Sequence, residues 1–199
     1  MEILTMEQGT PEWYEVRRGI PTASRFADVM AKGEGKVRSK YMRQLAGEII
    51  TGEVAETYSN GHMERGKEWE ADALAKYAFL NPGADIQRVG FVRNGNRGCS
   101  PDALVGADGL VEIKTMLPDL LIEEMLKPGF PSKHRAQAQG GLWVTGRQWV
   151  DLVLYHPKMP LVVRRGPRDH GFIASLAGEV EMFNRELAAM VEQIRGYRG

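Results

Sequence analysis

The stretch SPDALVGADGLVEIKT, Ser100 to Thr115, places Asp102 directly after a proline and then Glu112 and Lys114 two apart in an apolar run. A strand buried in a core has little use for two charges, so the question is what chemistry they could serve. Alternation along an extended strand sends Glu112 and Lys114 to the same face, with Ile113 between them on the other. If the segment before them folds back as a hairpin, Asp102 reaches the same point. Two converging carboxylates make an oxygen-rich pocket suited to Mg²⁺ or Mn²⁺, with the Ile113 carbonyl as a further ligand. A divalent ion there lowers the pKa of a bound water and neutralises charge on a phosphate. Lys114 beside it stabilises the resulting hydroxide or the transition-state oxygens. That chemistry hydrolyses a phosphodiester. The bland alternative is that Asp102 merely begins a turn and that Glu112 and Lys114 are a solvated pair.

No competing chemistry stands out. The sequence has no glycine-rich phosphate loop and no serine–histidine pair, and its four histidines are scattered without metal-ligand spacing. The single cysteine, Cys99, excludes an internal disulfide and any multi-cysteine zinc or iron–sulfur site. With no histidine placed to activate it, Cys99 reads as a packed small residue.

The elements that must position these residues follow from patterning. Thr10-Pro11 reads as a capped helix start, with the helix running to about Arg18 and stopping at Gly19. A second helix is expected from Thr22 or Ala23 to Met30, then an exposed glycine- and lysine-rich loop, AKGEGKVRSK, and a helix from Tyr41 to Ile50. HMERGKEWEADALAKYAFL segregates best: Glu64, Glu68, Asp72 and Lys76 form a polar stripe opposite Gly66, Trp69, Ala73, Tyr77 and Leu80. Glu70 falls on the apolar side. An ionised carboxylate there needs a partner, which a metal or an arginine would supply. IQRVGFVRN, GCSPDALVG and LVEIKTM read as three successive strands. A connection with room for one short helix follows, then a helix through HRAQAQGGLWVTG, strands RQWVDLVLYH and LVVRRG, and a closing helix from Gly178 to Tyr197. This order predicts an α/β fold with a central mixed sheet flanked by helices, as one domain over residues 1–199. The four tryptophans sit mostly in amphipathic or strand patterns, which favours core packing over base stacking.

Formal net charge is zero, yet the charges are segregated. Residues 17–43 carry a net of +6 and residues 44–86 a net of −5. This suits a polyanion-binding face (Arg25, Lys32, Lys36, Arg38 and Lys40 as DNA contacts) beside an acidic, metal-binding one. Two solvated faces that cancel would look the same. No run is long enough for a membrane span, and the N-terminus lacks a secretory layout, so an intracellular protein is expected.

Together these residues resemble the metal site of the PD-(D/E)xK nuclease superfamily. The wider pattern is similar to its lambda-exonuclease-like, YqaJ-type phage recombination exonucleases, in five blocks taken in order. RRGIPTASRFADVM, RGKEWEADA, CSPDALV with LVEIKT, HRAQAQGGLWVTG and YHPKM carry the likeness. The resemblance implies the restriction-endonuclease-like fold, with Glu70, Asp102 and Glu112 as metal-site acids, Lys114 as catalytic lysine and Gln137 beside them. It implies a pocket for the 5′-terminal phosphate at Arg18, Ser24 and Ser100. It further implies a Mg²⁺-dependent 5′→3′ exonuclease on double-stranded DNA ends that releases mononucleotides and leaves 3′ overhangs. A homotrimeric ring, a single-strand-annealing partner protein, and a phage or prophage origin in the cytoplasm of a bacterial host come with it. A PD-(D/E)xK endonuclease and a non-catalytic DNA-binding scaffold are the alternatives.

Overall fold

The computed structural model describes residues 1–31, 36–54 and 61–198, the side chains of residues 61–65 and 67 excepted. Lys32, one of the expected DNA contacts, lies outside the described residues.

After a short strand β1 (Glu2–Leu4), helix α1 (Pro11–Arg17) begins where the Thr10 side chain accepts from the Trp13 amide. A 3-10 turn, Ala23–Arg25, leads into α2 (Phe26–Val29), and α3 (Lys36–Thr51) and α4 (Gly61–Leu80) follow. Next come β2 (Ile86–Gln87), β3 (Phe91–Arg93), β4 (Gly98–Cys99), β5 (Ala103–Val105) and β6 (Gly109–Thr115). Helix α5 (Pro118–Leu126), the 3-10 turn Ser132–His134 and α6 (Arg135–Thr145) cross over to β7 (Trp149–Tyr155). β8 (Val162–Pro167) and the long α7 (His170–Arg195) complete the order.

Among the described residues the strands form a small sheet, β1-β3-β4, and a larger mixed one, β2-β5-β6-β7-β8. β6 and β7 run parallel, and the other neighbours in the larger sheet are antiparallel. β7 is an inner strand, and its Val150, Leu152, Val153, Leu154 and Tyr155 are all fully buried. A near-continuous apolar run of this kind is what a strand covered on both faces requires. On one face Val111, Ile113 and Val153 pack with Ala73, Leu74 and Tyr77 of α4. On the other, Leu110 and Val150 join Leu142, Val144 and the α7 residues Leu176, Val180 and Phe183. The fold is α/β, a central mixed sheet flanked by helices.

Several expected elements differ. The segment GCSPDALVG is two strands in two different sheets, broken at Ser100-Pro101-Asp102. Pro101 has no amide hydrogen to continue a ladder, and Asp102 spends its side chain on the neighbouring strand. IQRVGFVRN splits likewise into β2 and β3. Lys36, Arg38 and Lys40, expected in a loop, form the first turns of α3. The closing helix starts at His170, eight residues before the expected Gly178, because the Asp169 carboxylate caps it at the Phe172 amide. Leu80, expected on the apolar side of α4, is 60% exposed at the helix end, whereas Ala73 and Tyr77 are buried as patterned.

Candidate active site

Register brings the carboxylates together. β5 and β6 pair with Ala103 opposite Val111, which sets Asp102 beside Glu112, and the Asp102 amide donates to the Val111 carbonyl. The Asp102 carboxylate then accepts from the Ile113 amide at 2.6 Å. Glu112, only 7% exposed, shares its strand face with Leu110 and Lys114 and looks toward α6. Its Oε1 is the meeting point of the site: it accepts from Lys114 Nζ at 2.8 Å and from Gln137 Nε2 on α6.

Electrostatics confirm the crowding. Burial, above all, together with the charges of Glu112 and Glu70, holds the Asp102 carboxyl well above its ordinary range, against the bond from Ile113 and the Lys114 charge. Lys114 is held above its ordinary value because Glu112, Asp102 and Glu70 outweigh the cost of burying it. Half-buried Glu70 thus contributes charge to the same centre from α4. Ile113 presents its side chain to the α4 face and its amide to Asp102. Among the described residues no three acidic, histidine or cysteine side chains are disposed as a finished metal cluster. Glu112 is turned to Lys114 and Gln137, and Asp102 to the Ile113 amide.

Beside this centre a cleft is lined by Arg17, Ser24, Ser100, Glu112, Gln137 and Cys99, among others. Arg17 Nη1 and Trp13 Nε1 each donate to Ser100 Oγ at 3.0 Å. With both acceptor positions engaged, the Ser100 hydroxyl hydrogen is left to be donated onward. The Arg17 guanidinium lies 3.9 Å over the Trp13 ring, and burial pulls its pKa down. Among the described residues Arg17 has no ion pair. Half-buried Arg17, whose burial already lowers its pKa, would be relieved by an anion in the cleft.

Close packing at one glycine sets the distance between these two halves. A Cβ on Gly140 of α6 would lie 2.4 Å from the Phe26 ring and 3.3 Å from Ala23. Only a bare backbone there lets the Ala23–Arg25 turn, and with it Ser24, lie against the helix that carries Gln137. Cys99 is buried behind the cleft, and burial pushes its thiol up, as befits a packing residue.

Arg18 lines a neighbouring cavity with Arg17 and Ser24 but not the cleft that holds Ser100. α1 ends at Arg17, and the Arg18 side chain turns away to pair with Glu15 at 2.6 Å and to donate to the Gly52 carbonyl. Successive helical positions point about 100° apart, so of the Arg17-Arg18 pair only one can face Ser100. That one is Arg17, and nothing in RRG distinguishes the two by type. Of the basic segment, Arg38 is held by Glu186 at 2.6 Å and lies over Phe183, and Arg25 pairs with Asp28 and covers Tyr41. Lys36 and Lys40 are exposed on α3.

Comparison with known proteins fits this geometry. Residues 12–148 match the YqaJ-like viral recombinase domain. The alkaline exonuclease LHK-Exo from Laribacter hongkongensis is 36% identical, with a TM-score of 0.82 over 94% of this chain and 96% of that one. LHK-Exo in complex with dAMP is 37% identical with a TM-score of 0.83 over the same shares. A phage-related exonuclease from Haemophilus somnus 129PT shares the fold at 14% identity, with a TM-score of 0.67 over 91% of this chain and 99% of that one. A search of curated proteins found no match. A matched domain that spans Arg17, Glu70, Asp102, Glu112, Lys114 and Gln137 alike places the chain in the YqaJ-like viral recombinase family, on the PD-(D/E)xK nuclease fold.

Proposed function

We propose that this protein is a Mg²⁺-dependent 5′→3′ exonuclease that degrades one strand of duplex DNA from its end and releases mononucleotides. One observation carries the reading: a half-buried arginine without an ion pair among the described residues shares a cleft with the Glu112 and Gln137 of a phosphodiester-cleaving constellation. Arg17, Ser24 and Ser100 offer a guanidinium and two hydroxyls, a donor set matched to a doubly charged terminal phosphate. A terminal-phosphate subsite next to the hydrolytic centre measures off the last nucleotide. LHK-Exo binds dAMP, a molecule of the product class this implies.

The donor set fits a hard divalent cation. The charges of Glu112 and Glu70 bear on Asp102 and add to its burial, the larger cause, in raising it. Asp102 and Glu112 would hold Mg²⁺, or Mn²⁺ in its place, with the Ile113 carbonyl and Glu70 completing the set. Bound there, the ion supplies an acidified water and charge neutralisation. Gln137 fixes the Glu112 carboxylate, and Lys114 sets an ammonium against charge growing on the phosphate oxygens. Hydrolysis joins the water oxygen to phosphorus and breaks the bond to the 3′-oxygen, which leaves with the terminal nucleotide and takes up a proton. The phosphate stays on the shortened strand as its new 5′ end, ready for the same subsite. A 3′ single-stranded overhang results.

Lys36 and Lys40 would contact the DNA backbone. A homotrimeric ring and a single-strand-annealing partner that takes up the overhang belong to the same proposal. The described helices include none long and apolar enough to cross a membrane. Incubation with linear and covalently closed circular duplex, in Mg²⁺ or EDTA, tests the reading. Loss of the linear form alone, only with Mg²⁺, supports it. Cutting of the circle identifies an endonuclease, and binding without cutting identifies a scaffold. Light scattering at about three times the 22.2 kDa chain mass tests the ring.

A further inference from the structure

His134 closes the 3-10 turn that leads into α6 and stands three residues before Gln137. Residues three apart on a helix lie on one face, so His134 sits one turn along from the amide that grips Glu112. Its Nε2 is shielded from solvent and, among the described residues, has no hydrogen-bond partner. A buried polar atom left open in this way costs free energy unless a partner completes it. Its neighbours limit what that partner is. Burial, first, and then the ammonium charges of Lys114 and Lys133 bring its pKa down to about 4, with Glu124 opposing weakly. The ring is therefore neutral near pH 7, with one nitrogen carrying a hydrogen. Lys133 is itself tied to buried Glu124 at 2.8 Å, and Lys114 to Glu112, so both ammonium charges that act on the imidazole are anchored by carboxylates. An open, neutral ring nitrogen in the field of two anchored cations suits an anionic oxygen.

We infer that His134 is a further catalytic residue, whose Nε2–H donates to a non-bridging oxygen of the substrate phosphate held beside Lys114. The inference rests on the hydrolytic reading of the Asp102–Glu112–Lys114 centre and adds a substrate contact to it. A uniform donor from a neutral ring suits this place, because a third full cation would be repelled by the two lysines. Glutamine can carry an amide hydrogen to nearly the position of Nε2, whereas alanine and leucine carry none.

The test compares H134A, H134L and H134Q in the full-length protein. The readouts are single-turnover release of the first nucleotide from a 5′-phosphorylated blunt duplex in Mg²⁺, and the melting midpoint. H134A and H134L should slow release about 10-fold or more, the worth of one hydrogen bond to a charged group, and H134Q should restore it to within about 3-fold. Equal rates for all three variants and the wild type, or equal slowing of all three, overturns the inference. A readout independent of cleavage accompanies it: the ¹⁵N signals of the four histidines, with His134 assigned through H134Q. Addition of the same duplex in EDTA should move the His134 Nε2 signal, and no movement overturns the inference. A moved signal in a wild-type protein that cleaves nothing would instead overturn the exonuclease reading.

Discussion

The sharpest consequence of the cleft geometry concerns which of two adjacent arginines reads the DNA end. Arg17 is stacked on Trp13 and bonded to Ser100, whereas Arg18 is spent on Glu15 and Gly52. Removing a charge-assisted hydrogen bond to a terminal phosphate costs about 1.5–3 kcal/mol, or about 10- to 150-fold in rate. Each cut leaves a new 5′-phosphate, so discrimination against a 5′-hydroxyl end exists only for the first nucleotide. Quenched-flow release of the first and later nucleotides, from blunt duplexes ending in phosphate or hydroxyl, reads this directly. The wild type should show a lag on the hydroxyl end and then the same rate as on the phosphorylated one. R17A should lose the difference between ends and slow every step, and R17K should recover only part, since an ammonium cannot match the guanidinium fork. R18A should keep the lag and the steady rate. A normal lag in R17A with its loss in R18A would refute the placement of Arg17.

Other consequences follow from the packing. Asp151, 2% exposed, is held by the Tyr77 hydroxyl at 2.6 Å and by Arg165 at 2.7 and 2.8 Å, so Y77F should cost about 2 kcal/mol and lower the melting midpoint by roughly 4–8 °C. Nuclease rate per folded molecule should not change. G140A forces a methyl to within 2.4 Å of Phe26, which should destabilise by about 1–3 kcal/mol. It should also lower single-turnover rate below 25 °C, where the protein is folded, because Ser24 is pushed from Gln137. His134 titrates below its ordinary 6.5, so the stability from its neutral burial is whole above pH 6.5 and lost as pH falls toward 4. Denaturation in EDTA should show wild type losing about 2 kcal/mol more than H134Q across that window, and identical pH profiles would refute it.

Much of the site is written locally. Asp102, Glu112 and Lys114 are brought together by a hairpin whose strands and turn are visible in sixteen residues, and strand alternation alone sends Glu112 and Lys114 to one face. Glu70 stood out because a carboxylate broke an otherwise segregated helix. What was not legible depends on contacts distant in sequence. The orientation of the Arg17-Arg18 pair is settled by Ser100 and Trp13, and the break at Pro101 by two sheets that diverge there. His134 gives no signal in the sequence, since a histidine before a helix is chemically mute until its open Nε2 and the charges of Lys114 and Lys133 that act on it are known. The early start of α7 was hidden by Gly171, although Asp169 is a cap that could have been read.

Release of label from a linear duplex tagged separately at its 5′ and 3′ ends, run with the wild type and K114A in Mg²⁺, bears most directly on the hydrolytic centre. The 5′ label should leave first, as mononucleotide, while the 3′ label stays in a long single strand. K114A, with its melting midpoint intact, should release the 5′ label at least about 100-fold more slowly. Early release of the 3′ label, or a K114A protein as active as the wild type, would contradict a 5′→3′ exonuclease built on Asp102, Glu112 and Lys114.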